Sequence, residues 1–229
     1  KVYEVVKADI ATDDPQRRIG HDVKVFSNYC SWATYTEKPG WYYDTVKNPD
    51  PTKNVINYMD GIFPHFYYGS EGPPERNLGS INMGDVTASG KYSKGIIDIH
   101  KEFNIDTEMW ATESGAHTVE CTENRQAQCV PRAYAMLKAY GIDKMIWYDF
   151  MDDGLDREYV QHNWGLIRNK LDPLGEHVPK PSYVAYAVMA RLLTNAEYEG
   201  GGYFNNHYMN HLNNVYWHKF RNSEGESIN

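Results

Sequence analysis

The stretch "MWATESGAHT", residues 109–118, sets an uncharged run directly ahead of a single carboxylate, Glu113. No Lys or Arg on that stretch can pair with it. A carboxylate at the end of a buried strand is costly unless it is paired, hydrogen-bonded or used as a reagent. Other apolar runs also end in polar or titratable groups: Ser27-Asn28, His65-Phe66-Tyr67, and Asp149 with Asp152 and Asp153 beyond. A carboxylate nucleophile aimed by a Tyr hydroxyl and a His ring is chemistry that such a set can perform. Each group also has a plainer reading. A strand-end His is often a hydrogen-bonded structural residue, and Asp152 and Asp153, beside Gly154, read as turn residues or solvated charges.

These groups must be positioned by regular elements. Four apolar runs read as strands: 22–28, 58–68, 107–113 and 144–150. Pro64 is expected to end regular pairing in the second. Helical periodicity follows each strand. A short helix is expected in "PGWYYDTVKN". A second carries Tyr92, Ile96, Ile97, Ile99, His100 and Phe103, and a third Val130, Ala133, Tyr134, Leu137 and Tyr140 with Gly141 past its end. The fourth is "KPSYVAYAVMARLL", with Pro181 in its first turn. Alternating strands and helices indicate an α/β protein with a parallel sheet, whose sites lie at the carboxyl ends of the strands. From residue 200 the pattern changes to a linker and β segment, so the expected division is 1–199 and 200–229.

Composition narrows the function classes. Apolar residues make up 41%, enough for a globular core, and a net charge of −8 argues against a general nucleic-acid binder. No apolar run approaches the roughly 20 residues that span a bilayer. No Gly-rich phosphate fingerprint follows a strand, and no cofactor or metal is expected. The 19 Tyr and 6 Trp suit both a core and surfaces that stack on sugar rings, with Trp32, Trp41 and Trp164 as loop anchors or stacking faces. Of three cysteines, Cys121 and Cys129 can bridge locally or all three can be free thiols.

Trp110, Thr112, Glu113 and Gly115 resemble the strand-seven motif of clan A glycoside hydrolases, the retaining (β/α)₈-barrel glycosidases. "HFY" at 65–67 resembles the strand-six His-x-Tyr that positions the nucleophile. "IWYDF" resembles strand eight, and "NWGLIRNKLDPLGEHVPKPSY" is similar to the segment leading into the last helix. The tail from "VYWHKFRNSEG" looks like the first strands of a small β-domain. The resemblance implies Glu113 as nucleophile, Tyr67 and His65 as positioning groups, and a carbohydrate substrate. It also implies Trp147 as an apolar platform, with Asp149, Trp32 and Trp164 near the sugar. Secretion is expected by analogy with polysaccharide-degrading relatives.

Retaining hydrolysis also needs a second carboxyl as acid/base. In the clan it closes strand four, and the strands counted here correspond to five through eight. Residues 1–19 resemble the helix after strand four, which places Glu4 within a helix. The acid/base and the first half of the barrel are therefore expected upstream of Lys1, since a complete barrel takes roughly 250 residues. A half-barrel pairing with a copy of itself is the alternative. Two other functions stand beside hydrolysis: an inactive, carbohydrate-binding barrel, and a metal-dependent amidohydrolase-type barrel using His65 and Asp149. The last lacks a His at the end of the first strand, as His21 lies at its other end.

Overall fold

The computed structural model describes residues 24–29, 44–67, 74, 85–86, 92–93, 96–204 and 215–229. Glu4, His21, Cys30, Trp32 and Trp41 lie outside them. In chain order the strands are β1 (Phe26–Tyr29), β2 (Gly61–Tyr67), β3 (Asp85–Val86), β4 (Tyr92–Ser93), β5 (Glu108–Gly115), β6 (Lys144–Trp147), β7 (Glu197–Phe204), β8 (Val215–Arg221) and β9 (Ser227–Ile228). The α-helices are α1 (Ile96–Glu102), α2 (Glu123–Ala139) and α3 (Pro181–Leu193). Strands β1, β2, β5 and β6 form a parallel sheet in that spatial order, as expected for crossover connections.

Each expected strand is present with shifted ends, and the causes are local. Val25 is held outside β1 because its N–H donates to the Asp60 carboxylate and its carbonyl accepts from Asp60 N, both at 2.7 Å. Tyr58 belongs to a 3₁₀ turn, Val55–Tyr58, capped by the side chain of Asn54. Pro64 does not end β2. It sits where the β2–β5 register shifts, between Ile62 and His65, so its missing N–H falls in the interrupted part of the ladder. β6 ends at Trp147. Tyr148 N still donates to Ser114 O of β5 at 2.9 Å, and from Asp149 the chain bonds to the loop 164–167, Asp149 N to Trp164 O at 3.4 Å and Leu166 N to Asp149 O at 3.2 Å.

The helix expected from Tyr92 begins only at Ile96. Tyr92 and Ser93 pair instead with Val86 and Asp85, and Gly95 is a poor helix former just before α1. The short first helix is represented by one turn at 44–46. α2 matches its expected face: Cys129, Val130, Ala133, Met136 and Leu137 are buried, Thr122 caps Arg125 N, and Gly141 takes φ +85°. α3 has Pro181 at its start as expected, but its apolar stripe Val184, Ala187, Val188 and Leu192 is exposed, and Ser182 and Met189 are buried instead.

One face of the sheet is sealed by helices. Ile62, Phe66, Met109 and Ala111 pack with Val130, Ala133, Leu137 and Met189 in one buried cluster. Each large apolar side chain buried there contributes roughly 1.5–3 kcal/mol. The opposite face carries Phe26, Phe63 and Trp110, all only half-buried. The segment after α3 is a three-stranded antiparallel sheet, β7-β8-β9, and Tyr216 of β8 packs against the main core. The expected boundary at 199/200 falls inside β7. Cys121 and Cys129 are both buried free thiols. Among the described residues no helix is long and apolar enough to cross a membrane.

Candidate active site

Glu113, His65 and Tyr67 meet at the carboxyl end of the sheet. The register sets His65 opposite Glu113 and Tyr67 opposite Gly115. The Tyr67 hydroxyl donates to Glu113 Oε2, and His65 Nδ1 lies 3.4 Å from the same oxygen. His65 Nε2 is 3.0 Å from Thr112 Oγ1. One tautomer satisfies both contacts, with Nδ1–H directed at the carboxylate and Nε2 accepting from the threonine hydroxyl. Both ring nitrogens are thus engaged, which leaves none for the metal that an amidohydrolase reading would place on His65.

His65 touches two consecutive residues of β5, which a regular strand would point to opposite faces. The ladders explain this. Between Ile62↔Met109 and His65↔Glu113, β5 holds one residue more than β2. Between Ala111↔Met145 and Ser114↔Trp147, it holds one residue more than β6. The strand bulges at Thr112, and a bulge beside a site re-aims side chains. Gly115 completes the turn-in: a Cβ there would stand 2.3 Å from the Tyr148 carbonyl oxygen. Thr112 was visible as part of the motif, but its contact to His65 was not foreseen.

Glu113 closes a strand but is not itself buried. Its side chain is 39% exposed, so desolvation costs it less than a position inside the strand would. Among the described residues no Lys or Arg is within ion-pair distance of it. Burial, followed by the bond to Glu113, pushes the Tyr67 phenol well above its ordinary range, so it stays a proton donor. Asp149 lies nearby, half-buried, with Oδ1 buried and unbonded. Burial, then Asp153 and Asp152, push its carboxyl up to about 7.

The two tryptophans differ from expectation. Trp147 and Trp164 are each 7% exposed, so neither presents an open face for a sugar ring. Trp164 stands behind Tyr67, with ring centroids 4.9 Å apart, and also contacts His117 at 4.8 Å and Tyr148 at 6.0 Å. Trp147 Nε1 donates to Trp164 O at 3.3 Å. Tyr148 and His117 were not singled out in the sequence. Both adjoin the end of a recognised strand, and that adjacency is the signal that could have found them.

Asp152 is the other correction. It is 1% exposed rather than solvated, and its Oδ1 accepts from Lys180 Nζ at 2.6 Å and Gly165 N at 2.9 Å. The turn reading failed because the partner lies on another element, at the entrance to α3.

No protein-family model matches this sequence, and no curated protein matches it. Among solved structures the chain is similar to a family 39 glycoside hydrolase from the gut symbiont Bacteroides cellulosilyticus WH2. Identity is 24% and the TM-score 0.54, over 77% of this chain and 34% of that one. It also matches the intracellular xylanase TsXylA of Thermoanaerobacterium saccharolyticum JW/SL-YS485 at 18% identity and TM-score 0.47, over 75% of this chain and 47% of that one. A GH10 xylanase from Bispora sp. MEY-1 matches at 16% identity and TM-score 0.45, over 73% and 47% respectively. These neighbours are clan A glycoside hydrolases with (β/α)₈ folds. The first likeness shows the fold: an α/β chain with a parallel sheet, like part of such a barrel. The chain spans about a third of the first structure and about half of the other two.

Proposed function

We propose that this chain carries the nucleophile side of a retaining O-glycosidase, with Glu113 as nucleophile and Tyr67 and His65 as positioning groups. One observation carries the reading: the Glu113 carboxylate is held at a strand end by two donors on Oε2 and by no cation among the described residues. Both donors fall on the same oxygen, so Oε1 keeps its lone pairs for attack at the anomeric carbon. As the Oε1–carbon bond forms, the bond to the leaving oxygen breaks, and an acid/base carboxyl supplies that oxygen's proton. Water, deprotonated by the same carboxyl, then releases the sugar from Glu113. In this reading the four parallel strands are strands five to eight of a barrel, and the acid/base closes strand four, upstream of Lys1.

Exposed apolar groups on β6, an edge strand among the described residues, and on α3 support the barrel reading. Ile146 on β6 is 54% exposed, and Val184, Val188 and Leu192 form a stripe on α3 at 59%, 54% and 45%. A further strand and helix would cover both.

The test uses the full-length protein and a panel of 4-nitrophenyl glycosides. Glu113→Gln is expected to abolish turnover. Glu113→Gly with added azide is expected to yield a glycosyl azide of inverted configuration, since azide takes the place the carboxylate left. Undiminished hydrolysis by Glu113→Gln overturns the assignment.

A further inference from the structure

Behind the site lies a group of buried polar residues that the proposed chemistry does not use. Lys180 and Asp152 are 1% exposed each, and Gln126 and Ser182 are fully buried. Such groups are rare in an interior unless fully bonded, and a buried ion pair by itself adds little net stability. Their bonds converge on one peptide, between Trp164 and Gly165. Asp152 Oδ1 takes the Gly165 N–H at 2.9 Å and the Lys180 ammonium at 2.6 Å. The Trp164 carbonyl accepts from Gln126 Nε2 at 3.2 Å and from Trp147 Nε1 at 3.3 Å. Gln126 is itself fixed by Ser182 Oγ at 2.8 Å and by the Ala116 carbonyl at 2.8 Å.

Backbone bonds close the same unit. Asp152 N donates to Ile167 O, and Lys180 N to Leu166 O, each at 3.0 Å. Residue 165 must be Gly, since a Cβ there would lie 2.1 Å from Asp152 N. The Trp164 ring projects from this peptide onto Tyr67, at 4.9 Å between centroids, and the Tyr67 hydroxyl holds Glu113.

We propose that Lys180, acting through Asp152, is a positioning residue of this site: it fixes the Trp164–Gly165 peptide so that the Trp164 ring backs Tyr67 and keeps its hydroxyl on Glu113. The proposal rests on the reading of Glu113 as nucleophile. Loss of the ammonium leaves the buried Asp152 carboxylate with only the Arg157 guanidinium, 3.9 Å from Oδ2, as counter-charge, so it turns toward that cation or draws in water. The Gly165 N–H loses its fixed acceptor, and the Trp164 ring gains freedom behind Tyr67. Ground-state binding of the sugar is untouched, because Lys180 is far inside the protein. The cost falls on kcat rather than KM.

The experiment compares full-length wild type, Lys180→Met, the double variant Asp152→Asn with Lys180→Met, and Glu113→Gln. Each is assayed well below its melting temperature on the 4-nitrophenyl glycoside that wild type turns over best. Each is also labelled with 5-fluorotryptophan, the Trp164 resonance being identified by its loss in Trp164→Phe. The double variant leaves no buried charge unpaired and keeps an amide oxygen for Gly165 N–H, so it preserves a folded test if Lys180→Met does not fold. The expected result is a roughly 10- to 100-fold lower kcat per folded molecule in Lys180→Met, with KM within about twofold and a shifted or broadened Trp164 signal. The double variant recovers part of both. An unchanged kcat in folded Lys180→Met, or an unmoved Trp164 resonance, overturns the positioning role while an inactive Glu113→Gln leaves the nucleophile standing. An active Glu113→Gln overturns both.

Discussion

Strand β5 carries a glutamate near each end, and the two are held in opposite ways. Glu108, at the amino end, is ion-paired with Lys24 and accepts from Trp110 Nε1 at 2.7 Å, while Lys144 sits 3.8 Å above the same indole. The Lys24 bond comes first among the causes that hold its carboxyl below the ordinary range. Glu113, at the carboxyl end, is held by a phenol and an imidazole instead. The side chains are similarly exposed, at 34% and 39%, so burial does not distinguish them. Partner chemistry does. A carboxylate neutralised by cations is a structural pair, whereas one steered by weakly acidic donors on a single oxygen keeps the other oxygen for reaction.

The strongest way to break this comparison is to remove each carboxylate in turn. Glu113→Gln is expected to lower turnover of a 4-nitrophenyl glycoside by about 10³-fold or more, with little change in melting temperature. Next comes the donor. Tyr67→Phe deletes a hydrogen bond to a charged group, worth roughly 1.5–3 kcal/mol, so kcat should fall about tenfold to a hundredfold. Equal activity in Tyr67→Phe and wild type would remove the distinction between a steered and an unsteered carboxylate.

The two ends of the sheet should also respond to pH with opposite signs. Asp149, raised to about 7 by burial and then Asp153 and Asp152, binds its proton more tightly in the folded chain than in the unfolded one. Its contribution is full below about pH 4 and is lost as pH rises toward 7. Glu108 is lowered, so its contribution is present above the ordinary carboxylate range and is lost as pH falls below it. Melting temperatures from pH 3 to 8 should therefore show Asp149→Asn losing stability less steeply than wild type between pH 4 and 7. Glu108→Gln should differ from wild type only above the ordinary carboxylate range, and the two curves should converge in acid. The smallest effect belongs to Glu108→Gln at neutral pH. It is expected to lower the melting temperature slightly, by an amount that shrinks at high salt, and to leave kcat unchanged.

Local patterning made much of the frame legible. The period-3.6 face of α2, the Pro and Gly that punctuate the helices, and the four apolar runs are all properties of short windows. Glu113, His65 and Tyr67 were legible because each closes an apolar run, and parallel strands in one sheet bring such ends together. Three features were not. The bulge at Thr112 exists only relative to β2 and β6, so nothing in "WATESG" taken alone reveals it. Asp152 reads as a turn residue until Lys180 arrives from another element to neutralise it. Trp164 reads as a loop aromatic until Tyr67, His117 and Tyr148 enclose it.

The sequence by itself determined the alternation of strands and helices, the order in which polar groups close the strands, and the identity of the carboxylate without a nearby cation. Those follow from side-chain period, backbone propensity and charge along the chain. Tertiary structure alone decided which way Glu113 points, how open it is, and which charges lie buried behind it. These depend on contacts between residues far apart in the chain, whose energies exist only once the sheet and helices have packed.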